Sequence, residues 1–415
     1  MLRKWTGLLV LLFCLVSCPS AKDRGEYRSE IWVASDLHYL SDALIDENSA
    51  YEKANLTSDG RIQECDGLLV DALVERVNAE QPDYLILTGD LTYNGEAESH
   101  RVLIGKLREI KESTKVLVIP GNHDLHNLKA LRFDESGTSS AENLSCAEFE
   151  ELYADFGYRN ALSRDSLSLS YVYALDKDTW ALMLDTTFSR YNEEYGMNFV
   201  GGGLEEDTLN WVESILESAE KANKKVIGFS HHNLMNHNDL FTRLYTISQN
   251  ENLLNLYAEY GVRLHFSGHL HIQNIASEKV DGKRIYDIAS SSLLVYGNRF
   301  GRLKVYDRYA EYHTENVVGD EAFLKQSKAI FYGKYYDKSL NGFQVRYENY
   351  AEMLAYASEA NALYFDGDYA SIRRLNRENK ALYDFVRSKT CEDAYLKSIV
   401  SVPDENPNFL SVYDH

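Results

Sequence analysis

Apolar residues along the chain gather in five short runs, each stopped at once by glycine, serine or a polar cluster. They occupy positions 31–34 (IWVA), 84–87 (YLIL), 116–119 (VLVI), 226–229 (VIGF) and 262–266 (VRLHF). Runs this short, bounded by turn residues, predict buried β-strands. Between them the period lengthens. Residues 66–78 bring Leu69, Ala72, Leu73 and Val77 near helical spacing, and residues 205–222 place Leu209, Val212, Leu216 and Ala219 on one face behind an acidic first turn. Strands alternating with helices predict an α/β sheet. Residues 169–175 and 179–184 flank Asp176-Lys177-Asp178, residues 278–288 turn at Asp281-Gly282, and 303–306 reads as a further strand. These hairpins imply mixed pairing, expected as two packed sheets.

Beyond position 316 the pattern changes. No proline occurs from there to 399, and Phe343, Tyr347, Tyr350, Leu354 and Ala357 alternate steps of four and three. An all-helical C-terminal domain over 316–415 is expected, ending in a polar tail at 404–415.

The N-terminus follows different rules. Arg3 and Lys4 precede an apolar stretch at 8–16 that is too short to span a membrane, which reads as a signal peptide over 1–17. It ends in Leu15-Val16-Ser17-Cys18, which resembles the bacterial lipobox. The resemblance implies lipid modification of Cys18, a short polar tether to residue 28, and an extracytoplasmic protein held on the cell membrane. Cys65, Cys146 and Cys391 are widely spaced and odd in number, and read as buried free thiols. The net charge of -21 repels polyanions, so a long nucleic-acid partner is not expected. A small phosphate substrate stays compatible if metal ions supply local positive charge.

Each of the five strands ends in chemistry. The first is followed by Ser35-Asp36-Leu37-His38, the second by Gly89-Asp90, and the third by Gly121-Asn122-His123-Asp124. The fourth leads into His231-His232-Asn233, and the fifth into Gly268-His269-Leu270-His271. Open α/β sheets bind ligands beyond the carboxyl ends of their strands. Imidazole and carboxylate donors without thiolate suit Mn, Fe, Zn or Co. Two ions need a bridging ligand, and Asp90, on a central strand, is the natural one. Glycines at 89, 121 and 268 let the backbone come close to the ions.

This ordered set resembles the calcineurin-like metallophosphoesterase superfamily over roughly residues 30–310. The resemblance implies a four-layer α/β-β/α sandwich with the site between the sheets, in a catalytic domain set at 29–315. It also implies two metal ions (Mn, Fe or Zn). Asp36, His38, Asp90 and His271 would hold the first, and Asp90, Asn122, His231 and His269 the second. His123 matches the motif's catalytic histidine and Asp124 its orienting carboxylate. The segments at 89–100 (GDLTYNGEAESH), 148–172 and 231–241 (HHNLMNHNDLF) are further similar to the lipoprotein cyclic-nucleotide phosphodiesterases of low-GC Gram-positive bacteria, which carry a helical C-terminal domain. That likeness makes Asn94 and His237 candidate substrate contacts and His100 a weaker one, otherwise a histidine on a helix surface. His126 and His265 read as structural, and His232 as a neighbour of the ligands.

The chemistry implied is hydrolysis of a small phosphodiester by a metal-bridging hydroxide, with His123 donating a proton to the leaving oxygen. A phosphomonoesterase or nucleotidase is the nearest alternative. A surface lipoprotein that binds metal or ligand without turnover is the alternative from another class.

Overall fold

The computed structural model describes residues 24–46, 49, 51 and 60–413. The signal peptide and Cys18 lie outside these residues. The five runs become five strands, but they belong to two different sheets. In the first sheet, β1 (Tyr27–Ala34), β2 (Tyr84–Thr88) and β3 (Lys115–Ile119) run parallel. They end level, because Ala34 pairs with Leu87 and Thr88 with Ile119.

The small hairpin of β4 (Leu131–Asp134) and β5 (Gly137–Ser140) follows. The second sheet then collects β6 (Ser163–Arg164), β7 (Tyr171–Ala174), β8 (Thr179–Leu184), β9 (Lys225–Ser230), β10 (Leu264–Ser267), β11 (Asn274–Val280) and β12 (Lys283–Ala289). Its order is β11-β12-β10-β9-β8-β7-β6, with β8, β9, β10 and β12 parallel. Two antiparallel strands, β13 (Arg299–Tyr306) and β14 (Tyr309–Asn316), return to the first sheet beside β1. Both expected hairpins form, β7–β8 across 175–178 and β11–β12 across Asp281-Gly282.

Alternation along β8 shows how the layers stack. Ala181 and Met183 join the core between the sheets, with Ile31, Val33, Phe229 and Phe266. Leu182 and Leu184 point the other way, against Val212, Ile215, Leu253 and Tyr257. Those residues belong to the helices at Glu206–Lys221 and Asn250–Tyr260. The opposite face of the first sheet is covered by the helices at Asp66–Glu80 and Ala97–Leu107, through Val70, Leu73, Val77, Leu103 and Leu107. The result is helix, sheet, sheet, helix.

The C-terminal region departs from its expected form in two places. Five helices, from Glu321–Arg346 to Ala394–Val400, build it. The apolar spacing from Phe343 to Ala357 crosses a break, because Tyr347 is extended (φ -131°, ψ 129°) and the next helix starts at Tyr350. Both helices nonetheless feed one core, which is why the spacing looked continuous. The supposed polar tail is a strand. β15 (Phe409–Tyr413) pairs antiparallel with β14 and closes the edge of the first sheet. Its alternation supplies the reason: Val412 is buried and Ser411 exposed. The tether expected to run to residue 28 also ends sooner, since β1 begins at Tyr27 and Arg28 pairs with Asp307.

Candidate metal centre

Three loops of the first sheet and two of the second meet at the carboxyl ends of their strands. Two groups of donor atoms converge there, Asp36, His38, Asp90 and His271 in one, and Asp90, His231 and His269 in the other, each with its atoms within 4.8 Å of one another. Asp90 belongs to both. Its Oδ2 lies 3.6 Å from His38 Nε2 and 3.4 Å from His231 Nε2. His271 Nε2 sits 3.3 Å from Asp36 Oδ1 and 3.1 Å from His38 Nε2. In the second group, His269 Nδ1 and Asn122 Oδ1 lie 3.2 Å and 3.1 Å from His231 Nε2.

Imidazole nitrogens facing one another at such distances, inside a buried site, place lone pairs against lone pairs unless a proton or a metal cation stands between them. The donor chemistry, nitrogen and carboxylate oxygen without sulfur, fits borderline divalent ions. The outer nitrogens are fixed too. His231 Nδ1 donates to Thr88 O (2.9 Å) and His269 Nε2 to Leu244 O (3.0 Å), which sets each tautomer and aims the other nitrogen at the centre.

The backbone is strained at the same positions. Asp36, His38, Asp90, His269 and His271 all have positive φ, between 42° and 65°. For residues with a β-carbon this region costs roughly 1–2 kcal/mol each. It turns the side chains of each Asp-x-His or His-x-His pair into one space, and strain of this kind collects at functional sites. The approach is close as well. A β-carbon on Gly121 would stand 2.2 Å from both the backbone nitrogen and Oδ1 of Asp90.

Burial and charge work against each other here. Burial favours neutral Asp90, but His231, then His123 and His38, outweigh it and hold the carboxyl well below its usual range. Burial likewise lowers His231, yet Asp90 overrides it and raises the imidazole to about 9. At His269 burial, joined by the neighbouring His231, outweighs the pull of Asp90 and Asp36 and takes the imidazole down to about 3.

His123 stands at the rim, its ring centroid 4.9 Å from that of His38. Its backbone N–H donates to Asp90 Oδ1 (2.9 Å). Its Nδ1 faces two acceptors, Tyr93 O and Asn94 Oδ1, each at 2.9 Å. Two acceptors fix the proton on Nδ1 and leave Nε2 as the nitrogen that exchanges one. The orienting role expected of Asp124 therefore falls to Tyr93 and Asn94. Asp124 turns inward and accepts from the backbone N–H groups of Leu91, Thr92 and Gly121, stapling two of the site's loops together. Burial, then the neighbouring Asp90, push its carboxyl up to about 7.

The remaining expectations divide. Asn94 is beside the site, but as the partner of His123. His237 is held between Asp287 Oδ2 (3.1 Å) and Asn274 Nδ2 (3.1 Å), so both its ring nitrogens are taken. His100 is neither at the pocket nor on a helix surface. It is fully buried between Tyr153, Thr92 and the Asp124 carbonyl, and burial lowers it to about 3. His232 bonds Thr186 and the Val200 carbonyl, beside the donors. His265 is enclosed by Ser230 and Tyr257, and His126 meets Glu193 and the Cys146 N–H. The cysteines are free, but only Cys391 is fully buried. The acceptors that orient His123, His231 and His269 are mostly backbone carbonyls, which no residue type announces. Tyr245, whose ring lies 5.2 Å from that of His269, was also unforeseen.

Comparison with known proteins agrees with this geometry. The sequence model of the calcineurin-like phosphoesterases matches residues 29–273. A probable glycerophosphodiester phosphodiesterase GpdQ of Arcobacter nitrofigilis is 33% identical over 157 residues, 37% of this chain and 42% of that protein. A probable cyclic nucleotide phosphodiesterase of Vesicomyosocius okutanii is 36% identical over 64 residues, 15% of this chain and 27% of that protein. The chain thus spans less than half the length of either relative. Among solved structures, a dimetal phosphatase from Danio rerio shares 12% identity over 70% of this chain and 96% of its own, with a TM-score of 0.49. The family match covers more than half of the chain and includes every residue of the two donor groups. The chain belongs to the calcineurin-like phosphoesterases.

Proposed function

We propose that the protein is a dinuclear phosphodiesterase that hydrolyses small phosphodiesters, cyclic nucleotides foremost. The observation that carries this reading is Asp90, common to two complete donor groups with His123 hydrogen-bonded beside it. Asp36, His38, Asp90 and His271 would hold one ion, and Asp90, Asn122, His231 and His269 the other. When bound, the ions supply Lewis acidity to the phosphoryl oxygens and lower the pKa of the attacking water. The chain does the rest. Asn122 orients the phosphoryl group. His123, its Nδ1 proton held by Tyr93 and Asn94, delivers a proton from Nε2 to the leaving alkoxide, a contribution of roughly 10²–10⁴-fold.

An aromatic cavity supports a substrate that carries an aromatic base. About 580 Å³ in volume, it lies between the sandwich and the helical domain and is lined by Phe241, Tyr245, Phe331, Tyr335 and Tyr395, with Lys334 and Arg346. Tyr245 is shared between this cavity and the His269 ring. Both relatives named above are described as phosphodiesterases, which fits the same reading.

The test is a panel of phosphodiesters and phosphomonoesters, assayed with Mn, Fe, Zn and Co added separately to chelator-stripped protein. Cyclic nucleotides should be the best substrates with at least one metal. Turnover of monoesters alone would favour a nucleotidase, and no turnover with any metal would favour a binding lipoprotein.

We also propose that Cys18 is acylated and holds the protein on the outer side of the membrane. Among the described residues no helix is long and apolar enough to cross a membrane. The mature N-terminus, read by mass spectrometry, should be a lipidated Cys18 and should be lost in Cys18→Ser. A mature form starting elsewhere refutes the anchor.

A further inference from the structure

The pole opposite the metal centre has its own pocket, of about 690 Å³, at the amino ends of β8, β9, β10 and β12. Strand rise separates the two poles by about 20 Å, since β9 spans the distance between them. The charged residues lining this pocket are Lys224, Lys225, Arg263, Lys279, Lys283 and Arg284, with no aspartate or glutamate among them. On a chain of net charge -21, that is a local reversal of sign.

Five of these six cations are not paired with acidic side chains, whereas Lys225 reaches toward Asp307. Among the described residues, Lys224, Arg263, Lys279, Lys283 and Arg284 form no ion pair. Lys283 Nζ donates to the carbonyls of Ala258 and Glu259, Arg263 Nη1 to that of Tyr413, and Arg284 Nη1 to Ser277 Oγ. These contacts hold the side chains in place without an acidic partner, although Lys283 partly answers the carbonyl end of the helix at Asn250–Tyr260. The pocket floor is apolar, formed by Ile227, Leu264, Val305 and Val412 from both sheets. A cationic rim over an apolar floor suits an anionic amphiphile.

We propose that this pocket receives the headgroup of an anionic phospholipid, its phosphate among the cations and its first methylenes over the floor, so that the protein rests on the membrane with the metal centre facing away. Two observations favour a membrane as the source. Charge complementarity is one. The other is chain length. Arg24 stacks over Tyr306 and Tyr309, both part of this pocket, with its guanidinium 5.8 Å and 5.6 Å from their ring centres. Cys18 precedes Arg24 by six residues, which reach at most about 20 Å when extended. The choice of lipid over free phosphate rests on the proposed anchor at Cys18. A single lipidated site combined with a basic patch gives two membrane signals.

The mature full-length protein is mixed with vesicles of phosphatidylcholine, or of phosphatidylcholine with phosphatidylglycerol, and its lysines are acetylated and quantified by mass spectrometry. Labelling of Lys279 and Lys283 should fall about fivefold on the anionic vesicles, the factor that one surface charge contributes. It should not fall on the neutral ones, and Lys380 on the helical domain should be unchanged in both. Lys279→Gln/Lys283→Gln should release the protection at Lys224 while hydrolysis of a soluble diester stays at its wild-type rate. Equal labelling on both vesicle types overturns the proposal. Protection by inorganic phosphate on neutral vesicles overturns the membrane source in favour of a free anion. Flotation with neutral vesicles reports acylation of Cys18 separately, so failure of the anchor and failure of the pocket are distinguishable.

Discussion

The same strands end in two different poles. At the amino ends, residues with positive φ include Gly25, Gln81, Asn223, Asp281, Gly261 and Gly282. These are ordinary turn positions, and Gly261 and Gln81 cap helices that have just ended. At the carboxyl ends, the same backbone region is occupied by Asp36, His38, Asp90, His269 and His271. Glycine visits this region freely and other residues pay for it, so left-handed backbone is spread over three glycines, Asn223, Asp281 and Gln81 at one pole and its cost falls on aspartate and histidine at the other. One pole is therefore relaxed, exposed and basic, and the other strained, buried and built of donors. The difference teaches that the fold concentrates left-handed backbone on Asp and His where side chains must converge, and elsewhere uses it singly at turns and helix ends.

The largest expected effect comes from removing the shared donor. Asp90→Asn should abolish hydrolysis and weaken both metal sites by more than the ~10–100-fold that an outer partner of a ligand costs. Metal analysis after dialysis checks it, and retention of a full complement would break the contrast between the poles.

His123→Ala should keep its metals and lose about 10²–10⁴-fold on unactivated phosphodiesters, from loss of general acid catalysis. Activated aryl diesters, whose leaving groups need little protonation, should suffer much less. Equal losses on both substrate types would remove the proton-donor role. Asn94→Ala should move the same way to a smaller extent, because Tyr93 O still accepts from Nδ1.

A pair of glycines sharpens the comparison further. Gly121→Ala places a methyl 2.2 Å from Asp90 and should cost about 3 kcal/mol, the upper part of the overpacking range, and displace the shared carboxylate. Gly282→Ala at the other pole meets nothing within 4 Å and should cost only the left-handed backbone term, about 1 kcal/mol. Urea unfolding of both variants decides it.

An effect confined to a pH window concerns Glu96, buried behind the second loop. Burial raises its carboxyl from 4.5 to about 7, and its Oε1 has no hydrogen-bond partner. The folded state therefore keeps a proton that the unfolded state has released, so stability falls as pH rises from 4.5 to about 7. Glu96→Gln should match the wild type near pH 5 and exceed it by about 2 kcal/mol at pH 8. A variant equal to the wild type at both pH values would show that Glu96 titrates normally.

The Asp and His residues that cluster at the centre were legible in the sequence because metal-binding chemistry restricts residue type and the strand ends restrict position. Asp36, His38, Asp90, His231, His269 and His271 could be listed in order before any coordinates. Two packed sheets followed from the same alternation, and the four layers from the family resemblance. What surrounds the donors was not legible. Adjacency suggested that Asp124 holds His123, but the turn after Gly121 sends that carboxylate to three backbone amides instead. His100 shares its helix with charged neighbours, which hid a residue packed against Phe149 and Tyr153. β15 lies beyond the last helix with two prolines close before it, so its Phe-Leu-Ser-Val-Tyr alternation read as a tail. Its pairing partner, β14, lies some ninety residues earlier, and such distant pairings leave no local mark.

The central claim is that two ions held through Asp90 perform the hydrolysis. Its most direct test is a metal titration of chelator-stripped protein, with bound metal and diester hydrolysis measured on the same samples. The account predicts that activity follows the filling of a second site, reaching its maximum at two ions per chain. Full activity with one ion bound, or activity independent of metal, would contradict it.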